Sequence, residues 1–247
     1  MRVVLCMIFF LLGSAGFSRA QLRAGDVAVV AYNTVDPDSF AWVTFRDIPA
    51  NTPLQFTNSS VSNGWFRWGD HLGRAVAPGP LTWVSSNVVA AGTVISWISG
   101  TQKCWSVGQV SGGSPALSMN GDQLFVYQGA VVNNAAGTAP WLGDASNAVL
   151  LYGLNFANAG WDNVNGGGPN TSFIPPGLRV DAGTAVHVDD QDNGYFAGPW
   201  AGSAVELLAA IATRTNWITG PERMGTNLWA STFGVIRLPC GTLIRVE

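Results

Sequence analysis

Short runs rich in Val, Ile, Phe, Tyr, Trp and Thr recur along this chain, each bounded by Gly, Pro, Asn or Asp. They fall at residues 26–32, 40–45, 54–57, 81–84 and 93–98, and again at 123–127, 148–154, 185–188, 233–238 and 242–246. β-branched and aromatic side chains suit a pleated surface, and thirty glycines and thirteen prolines supply the turns between runs. Leu54-Gln55-Phe56-Thr57 alternates as a half-buried strand, while Val94-Ile95-Ser96-Trp97-Ile98 reads as a more buried one. Many short strands reach a core by packing two sheets face to face, so an all-β, two-sheet sandwich is expected. The Gly-Asp pairs Gly25-Asp26 and Gly121-Asp122 are the only self-similarity, and no solenoid period is present.

One segment breaks this rhythm. Ser203-Ala204-Val205-Glu206 has the form of a capping box, in which the Ser hydroxyl serves the first free amides and the Glu reaches back. Behind it, Leu207, Leu208, Ala209, Ala210 and Ile211 contain few branched residues and favour a helix. The expectation is one short helix over residues 204–213, with Val205, Leu208 and Ile211 facing the sheets and Trp217 anchoring its exit. Residues 111–114 and 160–172 are the long loops; the second contains Gly166-Gly167-Gly168-Pro169, and a loop of that length is functional or loose.

The first twenty residues have the layout of a cleaved secretory signal. Arg2 supplies charge, residues 3–12 are apolar, and Ser18 and Ala20 are the small residues of a cleavage site. The apolar run is shorter than the roughly 20 residues of a membrane helix. No later segment reads as a span, and no hydrophobic tail suggests a lipid anchor. The expected protein is secreted and extracellular, without membrane insertion, with residues 1–20 removed and residues 21–247 forming a single β-sandwich domain.

Losing Arg2 and Arg19 leaves ten basic against fifteen acidic residues, a formal charge of −5. No Lys/Arg cluster exists to neutralise a row of phosphates, which argues against nucleic acid. Charged residues make up 11% of the chain, well under the usual quarter or so. Such a surface stays soluble through Ser, Thr, Asn and Gly, through glycans, or by being covered in an assembly. Asn58-Ser59-Ser60 and Asn170-Thr171-Ser172 are glycosylation acceptors if the host is eukaryotic, and both asparagines are then expected on exposed loops. Asn51-Thr52-Pro53 is excluded by its proline.

A resemblance is carried by the run from Gly25-Asp26-Val27 through Tyr32-Asn33, Asp36-Pro37-Asp38-Ser39-Phe40-Ala41-Trp42-Val43 and Asp47-Ile48-Pro49, into Leu54-Gln55-Phe56-Thr57-Asn58. Gly121-Asp122-Gln123-Leu124-Phe125-Val126-Tyr127, Asp192-Asn193-Gly194-Tyr195 and Asn216-Trp217 extend it. The pattern resembles an uncharacterised β-sandwich domain of secreted and surface proteins, and its front half is similar to the lamin-tail type of immunoglobulin-like sandwich. The resemblance implies a fold and assigns no catalytic residue. Where that pattern has Asp-Asn-Gly-Trp directly after Phe-Thr, residues 58–62 intervene here before Asn63-Gly64-Trp65.

Catalytic chemistry finds little to work with. The two histidines, His71 and His187, stand near Asp70 and Asp189, but no nucleophile elbow, zinc motif or phosphate loop accompanies them. No cofactor is implied. The acidic run Asp189, Asp190 and Asp192 sets oxygen ligands before Gly194, 190 and 192 at alternate positions as in calcium loops, yet the bidentate Glu of such a loop is replaced by Trp200; the simpler reading is a solvated turn with Asn193-Gly194 as its corner. Tryptophan is more suggestive. Trp65 and Trp68, with Arg67, Asp70, His71 and Arg74, lie in a loop-like stretch, where flat rings beside planar polar groups suit a sugar. Trp161 and Trp200 sit in Gly/Pro-rich surroundings and share that option, while Trp42, Trp83, Trp97, Trp217 and Trp229 are expected in the core.

The function read from these residues is a secreted, non-enzymatic binding or structural module of the extracellular matrix, cell wall or cell surface, with polysaccharide or a matrix protein as partner. The alternatives are a carbohydrate-binding module with a defined aromatic face, and a hydrolase with a dispersed site. Cys104 and Cys240 remain after the signal. Two free thiols or a metal pair are open to them, but in an oxidising compartment a disulfide is the expectation. It would close a loop of over a hundred residues, worth at most about 5 kcal/mol. Thiol labelling of the unreduced protein is expected to find neither cysteine free; one labelled thiol per chain would refute the bridge.

Overall fold

Strands β1 (Val27–Asn33) and β2 (Ser39–Thr44) are buried from end to end, as strands covered on both faces must be. The computed structural model describes residues 21–62, 65–67, 80–100, 103–129, 132–133, 141–144, 148–158, 160–161, 170–189, 191–221 and 232–236. After β2 come β3 (Leu54–Thr57), β4 (Val61–Ser62), β5 (Trp65–Arg67), β6 (Leu81–Val84), β7 (Val94–Ile98), β8 (Cys104–Trp105) and β9 (Gln109–Ser111). Then follow β10 (Gln123–Gly129), β11 (Val132–Asn133), β12 (Trp141–Asp144), β13 (Ala148–Asn155), β14 (Ala185–His187), β15 (Asn193–Phe196) and β16 (Ala201–Gly202). Helix α1 (Ala204–Ile211), β17 (Trp217–Gly220) and β18 (Gly234–Val235) complete the order.

The expected all-β sandwich is present. One six-stranded sheet has the order β17–β15–β1–β2–β7–β8 and the other β14–β13–β10–β3–β6–β9. A four-stranded sheet, β11–β12–β5–β4, and the pair β16–β18 are additional. Pairing is antiparallel except at β13–β14 and β16–β18. Register sets Tyr32 opposite Phe40, Phe40 opposite Trp97 and Trp97 opposite Trp105, so one row of rings crosses the first sheet. The second sheet answers with Phe56 and Trp83: Phe40–Phe56 centroids are 5.3 Å apart, and Trp42 meets Trp83 edge-on at 5.0 Å. At the sandwich corner the chain leaves β8 for β9, and the Trp83 indole donates to the Val107 carbonyl at 2.7 Å to hold the crossing.

Both Gly-Asp pairs prove to be one device. Gly25 and Gly121 take φ +86° and +85°, a region where Cβ is penalised, and each turns the chain into a long strand of a different sheet. The next residue buries its carboxylate on a backbone amide of the incoming turn: Asp26 accepts from Arg23 N at 2.9 Å, and Asp122 from Ser118 N at 3.1 Å. Asp192-Asn193-Gly194 differs from expectation. The turn chemistry ends before Asn193, which is buried and opens strand β15 rather than forming a corner. Gly194 is required by packing, since a Cβ there would stand 2.5 Å from the Tyr32 ring.

Helix α1 starts with the expected capping box. Ser203 Oγ accepts from Glu206 N at 3.3 Å, and the Glu206 carboxylate accepts from Ser203 N at 2.8 Å. The Ser203 N–H and hydroxyl, both donating to it, hold the Glu206 carboxyl below its ordinary pKa. The facing residues need correction. Leu207, Leu208 and Ile211 are buried, whereas Val205 is 77% exposed. At about 100° per residue, positions 204, 207, 208 and 211 fall in one arc, and 205 lies on its far shoulder. The exit is held as expected: the Trp217 indole donates to Ile211 O at 2.8 Å, and Asn216 Nδ2 to Ala210 O at 2.9 Å. Among the described residues no helix is long and apolar enough to cross a membrane. Within the expected run at 233–238 lies β18, while 237–238, 242–246 and Trp229 lie outside the described residues.

Equilibrium urea unfolding checks this helix. Ser203→Ala is expected to cost about 1 kcal/mol, Ile211→Ala roughly 2–5 kcal/mol, and Val205→Ser no more than ~0.5 kcal/mol. A large loss at Val205 would contradict the observed face.

Candidate functional site

A second apolar cluster lies on the outer side of the β10-containing sheet. Phe125, Tyr127, Leu150 and Ala185 from that sheet meet Val61 and Phe66 from the small sheet, and Leu178. Phe66 is fully buried, its ring 5.8 Å from Phe125 and 5.9 Å from Tyr127. It is the apolar pin of a strand only three residues long, which could not hold its place by ladder bonds alone. β4 is tied down separately: Val61 N donates to Ser172 Oγ at 2.8 Å, and Val61 O accepts from Phe173 N at 2.9 Å.

This changes the setting of the tryptophan stretch. Residues 65–67 form a strand, not a loop, because Phe66 has an apolar surface to dock on. Trp65 pairs with Ser62 and Asp144, Phe66 with Val61 and Gly143, and Arg67 with Trp141. Trp68, Asp70, His71 and Arg74 lie outside the described residues.

The other candidates are mostly absorbed by the fold. His187 Nε2 donates to Ala157 O at 2.9 Å, and its ring packs on Gly160. The Asp189 carboxylate pairs with Arg214, and its carbonyl accepts from the Tyr32 hydroxyl at 3.2 Å. The Asp192 carbonyl accepts from Thr34 N and Oγ1, and Asp190 lies outside the described residues. Among the described residues no three His, Cys, Asp or Glu side chains gather to hold a metal. Trp161 is half-buried against Phe125 at 5.9 Å, and Trp200 packs edge-on against Phe196 and Phe233 with 36% exposure.

Asn58 is not on an exposed loop. It is 5% exposed, and its Nδ2 donates to Ala116 O at 2.8 Å and to the buried Asp122 Oδ2 at 3.0 Å. A glycan on that nitrogen leaves a single hydrogen and room for at most one of these bonds. Asn170 is half-buried, donating to Ser118 Oγ at 3.1 Å. Cys104 is exposed on the edge strand β8 and has no disulfide partner among the described residues; Cys240 is outside them.

Two features escaped the sequence reading. An open cleft of about 880 Å³ lies beside the first turn of α1, where Arg23 and Arg46 bracket the buried Asp26 carboxylate and Val205 forms part of the wall. The other is Asp38, whose Oδ2 accepts from Leu117 N at 3.0 Å. Burial pushes this carboxyl up to about 6 against the pull of that amide, and the neighbouring Asp36 charge adds to the rise. No family model, curated protein or solved structure matches the chain.

The raised Asp38 value has a definite sign. A carboxyl that holds its proton more tightly folded than unfolded stabilises the fold below about pH 4 and loses that contribution as pH rises through about 6. Asp38→Asn keeps an acceptor for Leu117 without the charge. Its stability relative to the natural chain is expected to increase between pH 4 and 7, measured by urea midpoints at each pH; a flat difference would refute it.

Proposed function

We propose that this chain is a secreted, non-enzymatic binding module of the extracellular matrix, cell wall or cell surface, and that it binds through the small sheet. The observation that carries the reading is Phe66: its burial anchors β5, the strand that contains Trp65 and Arg67, to the sandwich. A rigid sheet is a better mount for such groups than a loop, because partner contacts then cost less ordering entropy. The leader-like N-terminus and the low charge of the chain support the extracellular part of the reading. Asp122, Asp189 and His187 are engaged in holding the fold, which supports binding over acid–base chemistry.

The test is retention of the purified protein on insoluble cell-wall polysaccharide and on extracellular-matrix protein. Trp65→Ala/Arg67→Ala is expected to lower retention on one of them by about tenfold or more, with the cooperative unfolding transition preserved. Equal retention of the double variant and the natural chain would overturn the site. An esterase or glycosidase activity abolished by His71→Ala would overturn the non-enzymatic reading.

A further inference from the structure

We propose that Asn120 is a site of spontaneous deamidation, converted through a cyclic imide with Gly121, and that the fold protects the identical pair Asn193-Gly194. The reaction needs a backbone nitrogen to reach the preceding side chain. Gly121 N loses its proton and attacks Cγ of Asn120; the new N–Cγ bond closes a succinimide ring, and the carboxamide nitrogen leaves as ammonia. Water then opens the ring at either carbonyl. One opening gives aspartate, the other isoaspartate, in which the main chain runs through Cβ. Glycine obstructs this attack least, because no side chain stands beside its nitrogen.

The structure separates the two pairs. Asn120 is exposed in the turn before β10, and its N–H donates to Ser118 Oγ at 3.1 Å. Among the described residues its carboxamide has no hydrogen-bond partner, and the Gly121 N–H meets no acceptor. Nothing therefore holds nucleophile and electrophile apart. Asn193 and Gly194 are instead buried in β15, between β1 and β17. Gly194 stands opposite Tyr32 on one side and Thr219 on the other, so its backbone is committed to the sheet ladder. Asn193 Nδ2 is held on Gly220 O at 3.4 Å, and the Tyr32 ring closes on Gly194 too tightly to admit even a Cβ, let alone an imide ring.

The turn at Asn120 is coupled to the fold. Ser118 Oγ accepts from Asn170 Nδ2 as well as from Asn120 N, and Ser118 N donates to the buried Asp122 carboxylate. An isoaspartyl link adds a methylene to the main chain within this turn and places a new carboxylate close to Asp122. Both changes act against the bonds that seat Asp122, so the modified chain is less stable.

The experiment is incubation of the full chain at mildly alkaline pH, folded and urea-unfolded samples in parallel, with an unincubated sample as baseline. Brief chymotryptic digestion puts Asn120 and Asn193 on separate peptides, the first bounded by Leu117 and Phe125, the second by Leu178 and Tyr195. In the folded chain the Asn120 peptide is expected to gain the mass of one deamidation, with isoaspartate detected by carboxyl methyltransferase labelling, while the Asn193 peptide stays unchanged. In urea both should react at similar rates. Asn120→Gln should remove the folded-state reaction, and the aged natural chain should unfold at lower urea than the aged variant. An Asn120 that survives in the folded chain but reacts in urea would overturn the assignment. So would an Asn193 that reacts as fast as Asn120 in the folded chain. Equal urea midpoints for the two aged chains would overturn the effect on stability.

Discussion

The contact between Phe40 and Phe56 is the joint on which the two large sheets turn. Phe40 also lies 5.2 Å from Trp97 and 5.6 Å from Trp105, and Phe56 lies 5.0 Å from Trp105 and 5.7 Å from Trp42. Three strands of the first sheet, β2, β7 and β8, are therefore locked to β3 of the second by one group of rings. The arrangement carries a cost, since the indole N–H groups of Trp42, Trp97 and Trp105 find no protein acceptor among the described residues. An unsatisfied buried donor costs about 1–3 kcal/mol. Burying roughly 200 Å² of ring at ~25 cal/mol per Å² contributes about 5 kcal/mol. Apolar burial wins at each of the three positions. Trp83 does not bear that cost, because its indole is spent on the Val107 carbonyl where the chain changes sheets.

Beside this apolar joint sits a polar one. Asp122 Oδ1 accepts from Gln123 N and Nε2, both at 2.8 Å, and Oδ2 accepts from Asn58 Nδ2 and Ser118 N. Gln123 Nε2 also donates to Asn58 O. A buried carboxylate supplied with four donors is tolerable where one with none is not. The network ties the end of β3 to the start of β10 and to the turn before it, and β10 supplies Phe125 and Tyr127 of the second apolar cluster. Asn58 is thus a structural amide inside a tripeptide that reads as a glycan acceptor.

The legible parts of the fold were those where local pattern and tertiary environment agree. β1, β2, β3, β6, β7, β10 and β13 lie within or close to their expected runs, because their Val, Phe, Tyr and Trp residues are the core itself. The capping box announced α1, but the helix face was misjudged at Val205, since apolarity does not say which arc meets the sheet. Short strands were not legible. β15 contains Asn-Gly, which locally favours a turn, and only the close approach of Tyr32 makes it a strand. In the small sheet, Trp65 and Arg67 were visible as residue types, while the strand that pairs with them, Trp141–Asp144, was not. Trp141-Leu142-Gly143-Asp144 carries a weak alternation, and its relation to Trp65 exists only through the pairing of β5 with β12.

Pinning the small sheet by one buried cluster has a physical consequence. Strands of two to four residues gain too little from backbone hydrogen bonds to stand alone, so the small sheet exists because Val61 and Phe66 bury against Phe125 and Tyr127. Two residues thus decide whether the small sheet forms, whereas the large sheets share their burial over many rings, among them Trp42, Trp83 and Trp97.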